Sequence, residues 1–148
     1  MKKVLGLGLL CVLVGCSDPT GGGKLTITKH DNGNTASRGF LLNDDIKVGA
    51  WIYFYEDGLT LMKHGRYVNG QMHGQWSFLM PDATSSWTAE YKHGEGSRNG
   101  LTTTFAGNGK KLEQGIYRQD VKEGVWTSWD DKGNVTKTET YKNGERVK

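Results

Sequence analysis

One stretch decides the fold: Gly49-Ala50-Trp51-Ile52-Tyr53-Phe54-Tyr55-Glu56-Asp57-Gly58, followed by Leu61 and then by Tyr67-Val68-Asn69-Gly70. Residues 50–56 are rich in aromatic and β-branched side chains, the composition of a strand. Asp57-Gly58 and Asn69-Gly70 reach positive φ at little cost, which tight turns require. The stretch therefore reads as a hairpin: strand, Gly turn, strand, Gly turn.

The pattern recurs. Gly49, Gly74, Gly100 and Gly124 are separated by 25, 26 and 24 residues. Two positions after them stand Trp51, Trp76, Thr102 and Trp126, and five positions after them Phe54, Leu79, Phe105 and Trp129. Nine positions after them come Gly58, Ala83, Gly109 and Gly133. Each unit then carries a tyrosine: Tyr67, Tyr91, Tyr117 or Tyr141. A period between about 20 and 50 residues marks a repeat architecture. Asn99-Gly100, Asn108-Gly109 and Asn143-Gly144 add turn signals. Beyond the N-terminal segment no stretch has the 3.6-residue periodicity of an amphipathic helix.

The predicted fold class is all-β, an elongated antiparallel sheet of stacked β-hairpins. Two strands per unit, about 4.8 Å apart, give a rise of about 10 Å per repeat. The units are 49–73, 74–99, 100–123 and 124–148, and 24–48 reads as a degenerate capping unit. In that cap, residues 25–28 and 39–42 read as strands around an Asn32-Gly33 turn, with apolar side chains packing under the first full repeat. Thr102 in place of Trp and Ala83 in place of Gly predict that the second and third units are least regular. Lys142, Glu145, Arg146 and Lys148 charge the far edge, as expected where an open sheet must not pair further.

Composition agrees. The 148 residues include 22 Gly but only 2 Pro, with 5 Trp, 6 Tyr and 4 Phe. Scarce proline and no Gly-X-Y period exclude collagen, and the aromatics argue against disorder. A mean hydropathy of -0.61 excludes a polytopic membrane protein.

The N-terminus carries an address. Lys2 and Lys3 precede an apolar run over residues 4–14, about half of what a spanning helix needs. Such a run fits the core of a secretory signal peptide. It ends in Leu13-Val14-Gly15-Cys16, which resembles the bacterial lipobox. The resemblance implies that residues 1–15 are cleaved, that Cys16 carries lipid, and that 16–23 form a lipidated tether. Ser17 after the lipid-bearing cysteine leans toward the outer rather than the inner membrane of the bacterial envelope. Removal of 15 of 148 residues leaves 133, and loss of Lys2 and Lys3 lowers the formal charge from +3 to +1. No charge-based case for nucleic acid survives that loss. Cys11 leaves with the leader, so the mature domain would have neither a free thiol nor a disulfide.

The unit G-x-W-x-x-[FWL]-x-x-x-G, followed by Y-x-N-G, resembles the bacterial variant of the MORN repeat. Tyr67-Val68-Asn69-Gly70 and Tyr141-Lys142-Asn143-Gly144 carry the closest match. The resemblance covers 49–148 and implies an architecture more than a function. Trp51, Trp76 and Trp126 form one expected column, and Tyr67, Tyr91, Tyr117 and Tyr141 another. Packing of the sheet face and stacking on a ligand both suit such columns. Tyr53 and Trp87 fall outside them, and Trp87 follows the polar stretch 82–86. These two are the candidate binding-surface residues.

Catalytic chemistry is not in view. Hydrolysis would need a nucleophile and an oriented base, and no serine lies in a G-x-S-x-G setting. His30, His64, His73 and His93 show no metal-ligand spacing, and the last three read as loop residues near turn glycines. Asp44-Asp45 and Asp130-Asp131 read as solvated turns. The expected function is a non-catalytic, membrane-anchored module with a protein partner in the envelope, without cofactor or metal. The alternatives are peptidoglycan or carbohydrate binding on the aromatic face and a periplasmic immunity or antitoxin-like role.

Overall fold

The computed structural model describes residues 20, 22–82, 84–91 and 97–147. The leader, with Leu13, Val14, Gly15 and Cys16, lies outside the described residues, as do Ala83, His93 and Gly94. The described chain is all-β, with eleven strands in one sheet whose spatial order is the chain order. β1 (Lys24–Lys29) and β2 (Thr35–Leu42) form the cap. β3 (Ile46–Phe54) and β4 (Leu61–Val68) form the first unit, β5 (Gln71–Leu79) and β6 (Ser85–Tyr91) the second. β7 (Arg98–Ala106) and β8 (Lys111–Arg118) form the third. β9 (Val121–Trp129), β10 (Val135–Lys142) and the short β11 (Glu145–Arg146) form the fourth. At about 4.8 Å per strand the sheet is roughly 50 Å long.

Residues paired across strands share a face, which sorts one face into rows. The central row runs Gly39, Trp51, Gly65, Trp76, Ala89, Thr102, Gly115, Trp126, Glu139. Each tryptophan lies flat on the strand before it. A Cβ on Gly39, Gly65 or Gly115 would overlap the ring of Trp51, Trp76 or Trp126 respectively. Only a residue without a side chain lets the indole reach the backbone there. All three indoles are buried, Trp76 completely. The Trp51 Nε1–H donates to the carbonyls of Phe40 and Val48, both at 3.2 Å, and that of Trp76 to the Arg66 carbonyl at 3.1 Å. At the seam between the second and third units both partners change: Ala89 replaces the glycine and Thr102 the tryptophan, and both are buried. The smaller side chain opposite makes room for the methyl group. Irregularity thus falls on this third seam, whereas Trp76 in the second unit packs as Trp51 does.

The glycine two positions before each tryptophan is not a turn residue. Gly49, Gly74 and Gly124 have φ of 64°, 66° and 70° and sit within strands. The register shifts there: Gly39 alone separates Arg38 from Phe40, while three residues separate their partners Ile52 and Val48. The same bulge recurs between β4 and β5 and between β8 and β9. A bulge bends the strand and re-aims the next side chain, here laying the tryptophan over the neighbouring glycine. The expectation that Asn99-Gly100 forms a turn is corrected for the same reason: both residues lie inside β7. Unit boundaries set at these glycines fall within strands rather than between them.

The turns alternate between the two edges. On one edge Asn69-Gly70, Gln119-Asp120 and Asn143-Gly144 all have positive φ at both residues, the primed turn that matches strand twist. The second N–H of each reaches back to the preceding unit: Gly70 to the Lys47 carbonyl at 2.8 Å, Asp120 to Arg98 at 3.0 Å, Gly144 to Lys122 at 3.0 Å. The cap strands form where expected, but Leu25 and Ile27 stand on the opposite face and are more than half exposed. Glycine alternation explains this: Gly39 must face Trp51, so Leu25 and Ile27, paired with Phe40 and Arg38, face away.

Gly65→Ala is expected to lower the unfolding free energy by about 1–3 kcal/mol through overpacking against Trp76. Gly115→Ala should cost less when combined with Trp126→Thr than alone, because the double variant reproduces the Ala89–Thr102 seam. Urea unfolding of the four proteins in the cycle measures both effects.

Candidate binding face

Two further rows flank the central one. The lower row carries Leu41, Tyr67, Tyr91, Tyr117 and Tyr141, interleaved with Lys47, Met72, Arg98 and Lys122. The predicted tyrosine column is therefore one real row beside the predicted tryptophan column. Tyr67 meets Trp76 edge-on at 5.0 Å and Trp51 at 6.0 Å, and Tyr117 meets Trp126 at 5.0 Å. These rings pack the face.

The upper row runs Ser37, Tyr53, Lys63, Phe78, Trp87, Thr104, Glu113, Ser128, Lys137. It holds both candidate surface residues. Tyr53 stacks on Trp51 at 5.8 Å, and its hydroxyl donates to that of Tyr67 at 3.1 Å. Trp87 lies nearly parallel to Phe78, centroids 3.8 Å apart and planes 6° apart. Trp87, expected as an exposed contact beside the polar stretch 82–86, is half-buried and has a ring partner. Ser85, Trp87, Ala89 and Tyr91 alternate along β6, which places Trp87 on the aromatic face, half-buried. Tyr53, Phe78 and Trp87 make the β3–β6 part of this row aromatic, whereas its β7–β10 part is polar.

Cations were the signal missed in the sequence. Lys47, Arg98 and Lys122 each stand two positions before a bulge or strand glycine, and each covers an aromatic ring. The Lys47 Nζ lies 5.0 Å from the Trp51 centroid and 5.3 Å from those of Tyr53 and Tyr67. The Arg98 guanidinium lies 3.8 Å from Tyr117, and the Lys122 Nζ 3.9 Å from Trp126. A Lys or Arg at this offset in three of four units was visible in the sequence.

Carboxylates are unevenly shared along the face. Lys122 meets Glu113 at 3.0 Å and Arg98 meets Asp120 at 2.6 Å. Glu139 takes both Lys137, at 2.8 Å, and Arg146, at 2.9 Å. Hydrogen bonds from Lys137 first, then from Arg146 and Tyr141, hold the Glu139 carboxyl down to about 2. Among the described residues neither Lys47 nor Lys63 has a carboxylate within ion-pair distance. The Lys63 Nζ sits 4.7 Å from the Tyr53 centroid. Burial, and then the Lys47 charge, push its ammonium below the ordinary lysine value. Burial likewise pushes the phenols of Tyr53, Tyr67 and Tyr91 up.

His64 and His73 take other places than expected. His64 and His73 are exposed strand residues of β4 and β5, not loop residues, and the His30 Nε2 lies 3.1 Å from the Phe54 carbonyl. Asp44-Asp45 and Asp130-Asp131 do lie in turns. Among the described residues no group of three or more His, Cys, Asp or Glu side chains could hold a metal ion, and no helix is long and apolar enough to cross a membrane. No protein-family model matches the chain, and no curated protein matches it.

Glu139 binds its proton less readily in the folded chain than at its ordinary value of 4.5. Its contribution to stability is therefore present above about pH 4.5 and is lost as the pH falls toward 2. Amide-exchange protection factors of β10 and β11 should decline across that window in the natural chain. They should be flatter with pH, and lower at neutral pH, in Glu139→Gln.

Proposed function

We propose that this chain is a non-catalytic, MORN-like repeat lipoprotein of the bacterial cell envelope, whose aromatic sheet face binds a protein partner. The carrying observation is the half-buried row Tyr53, Lys63, Phe78 and Trp87, which crosses four neighbouring strands of the sheet. Aromatic residues are enriched among interface anchors. A stack of strands keeps these side chains in fixed register, so binding orders little that is not already ordered. The basic n-region, the short apolar run and Leu13-Val14-Gly15-Cys16 support lipid anchoring. Two or three acyl chains hold a protein stably where one does not. Ser17 supports the outer membrane as the destination.

A second reading is carbohydrate or peptidoglycan binding. The near-parallel Phe78–Trp87 pair favours it, because flat rings stack on sugar faces. Titration of Trp fluorescence with peptidoglycan fragments separates the two readings: a saturable shift lost in Trp87→Ala supports the glycan, and no shift at millimolar fragment counts against it.

Cys16→Ser should move the protein from the membrane to the soluble fraction, and continued sedimentation with membranes would overturn the anchor. Crosslinking in cells followed by affinity capture should recover one stoichiometric partner with the natural chain. Trp87→Ala should recover about tenfold less, as expected for loss of an anchor worth about 1.4 kcal/mol. Equal recovery would overturn this face as the binding surface.

A further inference from the structure

The units are copies of one plan, so a feature filled in one copy and open in another is informative. Lys122 in the fourth unit corresponds to Lys47 in the first, since each stands two positions before its bulge glycine, Gly124 or Gly49. Both ammonium groups lie over the tryptophan of their own strand and the tyrosine of the next. Lys122 is met at 3.0 Å by Glu113, which stands two positions before Gly115. The corresponding residue before Gly39 is Ser37. Ser37 is buried, and its hydroxyl is 2.7 Å from that of Thr28. The first unit thus keeps the cation and lacks the carboxylate. Beside Lys47, where a longer side chain at 37 would lie, there is an open groove of about 480 Å³ whose lining includes Ser37, Leu41, Trp51 and Tyr53. Asp44 and Asp45 also border it, without reaching ion-pair distance of Lys47.

Lys47 donates to the Tyr53 hydroxyl at 2.9 Å. That bond is neutral at its acceptor, so the ammonium keeps two donors and its whole charge. Lys63 adds a second ammonium over the same Tyr53 ring. The nearby Lys63 charge adds to the attraction of the Lys47 ammonium for an anion.

We propose that the groove at Lys47 is a carboxylate subsite, filled by a Glu or Asp side chain of an acidic segment of the protein partner. The incoming carboxylate takes toward Lys47 the part that Glu113 takes toward Lys122. The inference rests on the protein-binding reading above and gives that partner its chemistry. A carboxylate is favoured over other anions because the chain's own filled copy holds one.

The test uses the full soluble chain (Cys16→Ser) with a capped oligoglutamate peptide, an oligoglutamine peptide of equal length and inorganic phosphate. Indole N–H signals are followed by NMR. Oligoglutamate should shift the Trp51 signal saturably and leave Trp126 unmoved. Lys47→Met should weaken this binding about tenfold or more, the scale of one lost charge pair. Methionine already stands at the corresponding place in the second unit, Met72, so the fold accommodates it. Ser37→Glu should block binding by supplying the carboxylate internally, and Lys122→Met should leave it unchanged. Equal binding of oligoglutamine, indifference to Lys47→Met, or tighter binding of phosphate than of oligoglutamate would each overturn the proposal. If oligoglutamate fails while cellular capture still recovers a Trp87-dependent partner, the acidic segment is wrong and the binding face stands. If both fail, both fall.

Discussion

An indole resting on a glycine is the contact on which this sheet depends. A single antiparallel layer has no second layer to bury against, and an isolated hairpin is marginal in water. The chain solves this within the layer. Trp51, Trp76 and Trp126 lie across the seams between hairpins, each closing over the backbone of the strand before it. The contact demands three things at once: a side chain of nearly no volume on one strand, a bulge on the next, and a large flat ring after the bulge. The sequence distances follow from that demand. Gly39, Gly65 and Gly115 each precede their tryptophan by one hairpin arm, and Gly49, Gly74 and Gly124 turn the strand to aim it.

The period, the strand class and the two aromatic columns were legible because they repeat at fixed offsets. The role of the most visible glycine was not. Gly49 and its copies share positive φ with turn glycines, and composition cannot distinguish a bulge inside a strand from a turn between strands. Pairing across β2 and β3 makes the distinction, and pairing is a long-range property. The ring partner of Trp87 was hidden for a related reason. Its polar neighbours Ser85, Ser86 and Thr88 resemble a loop until the alternation along β6 is set against Phe78 on β5. The cation row was legible and went unread, since Lys47, Arg98 and Lys122 stand at one offset. The carboxylate partners of Arg98 and Lys122 were not legible, because Asp120 comes from a turn and Glu113 from another strand.

The array is therefore regular in packing and asymmetric in charge. Around the fourth unit each cation on the aromatic face has an acid, and the upper row is polar. Around the first, two lysines share one tyrosine ring and the upper row is aromatic. Packing residues cannot vary without breaking a seam, as the paired change to Ala89 and Thr102 illustrates. The upper row and the cation partners are free of that restriction, so it is there that one copy of the unit comes to differ from the next.

The alternating edges also bear on how the molecule carries load. Strands run across the long axis, so the ladder hydrogen bonds point along it, and the primed turns add Gly70 to Lys47, Asp120 to Arg98 and Gly144 to Lys122 in the same direction. A pull between the two ends would strain these bonds one strand at a time, as a zipper opens, rather than all together in shear. Resistance would then be set by the weakest seam. The third seam, where Thr102 stands in place of a tryptophan, is the one that lacks the indole closing the others.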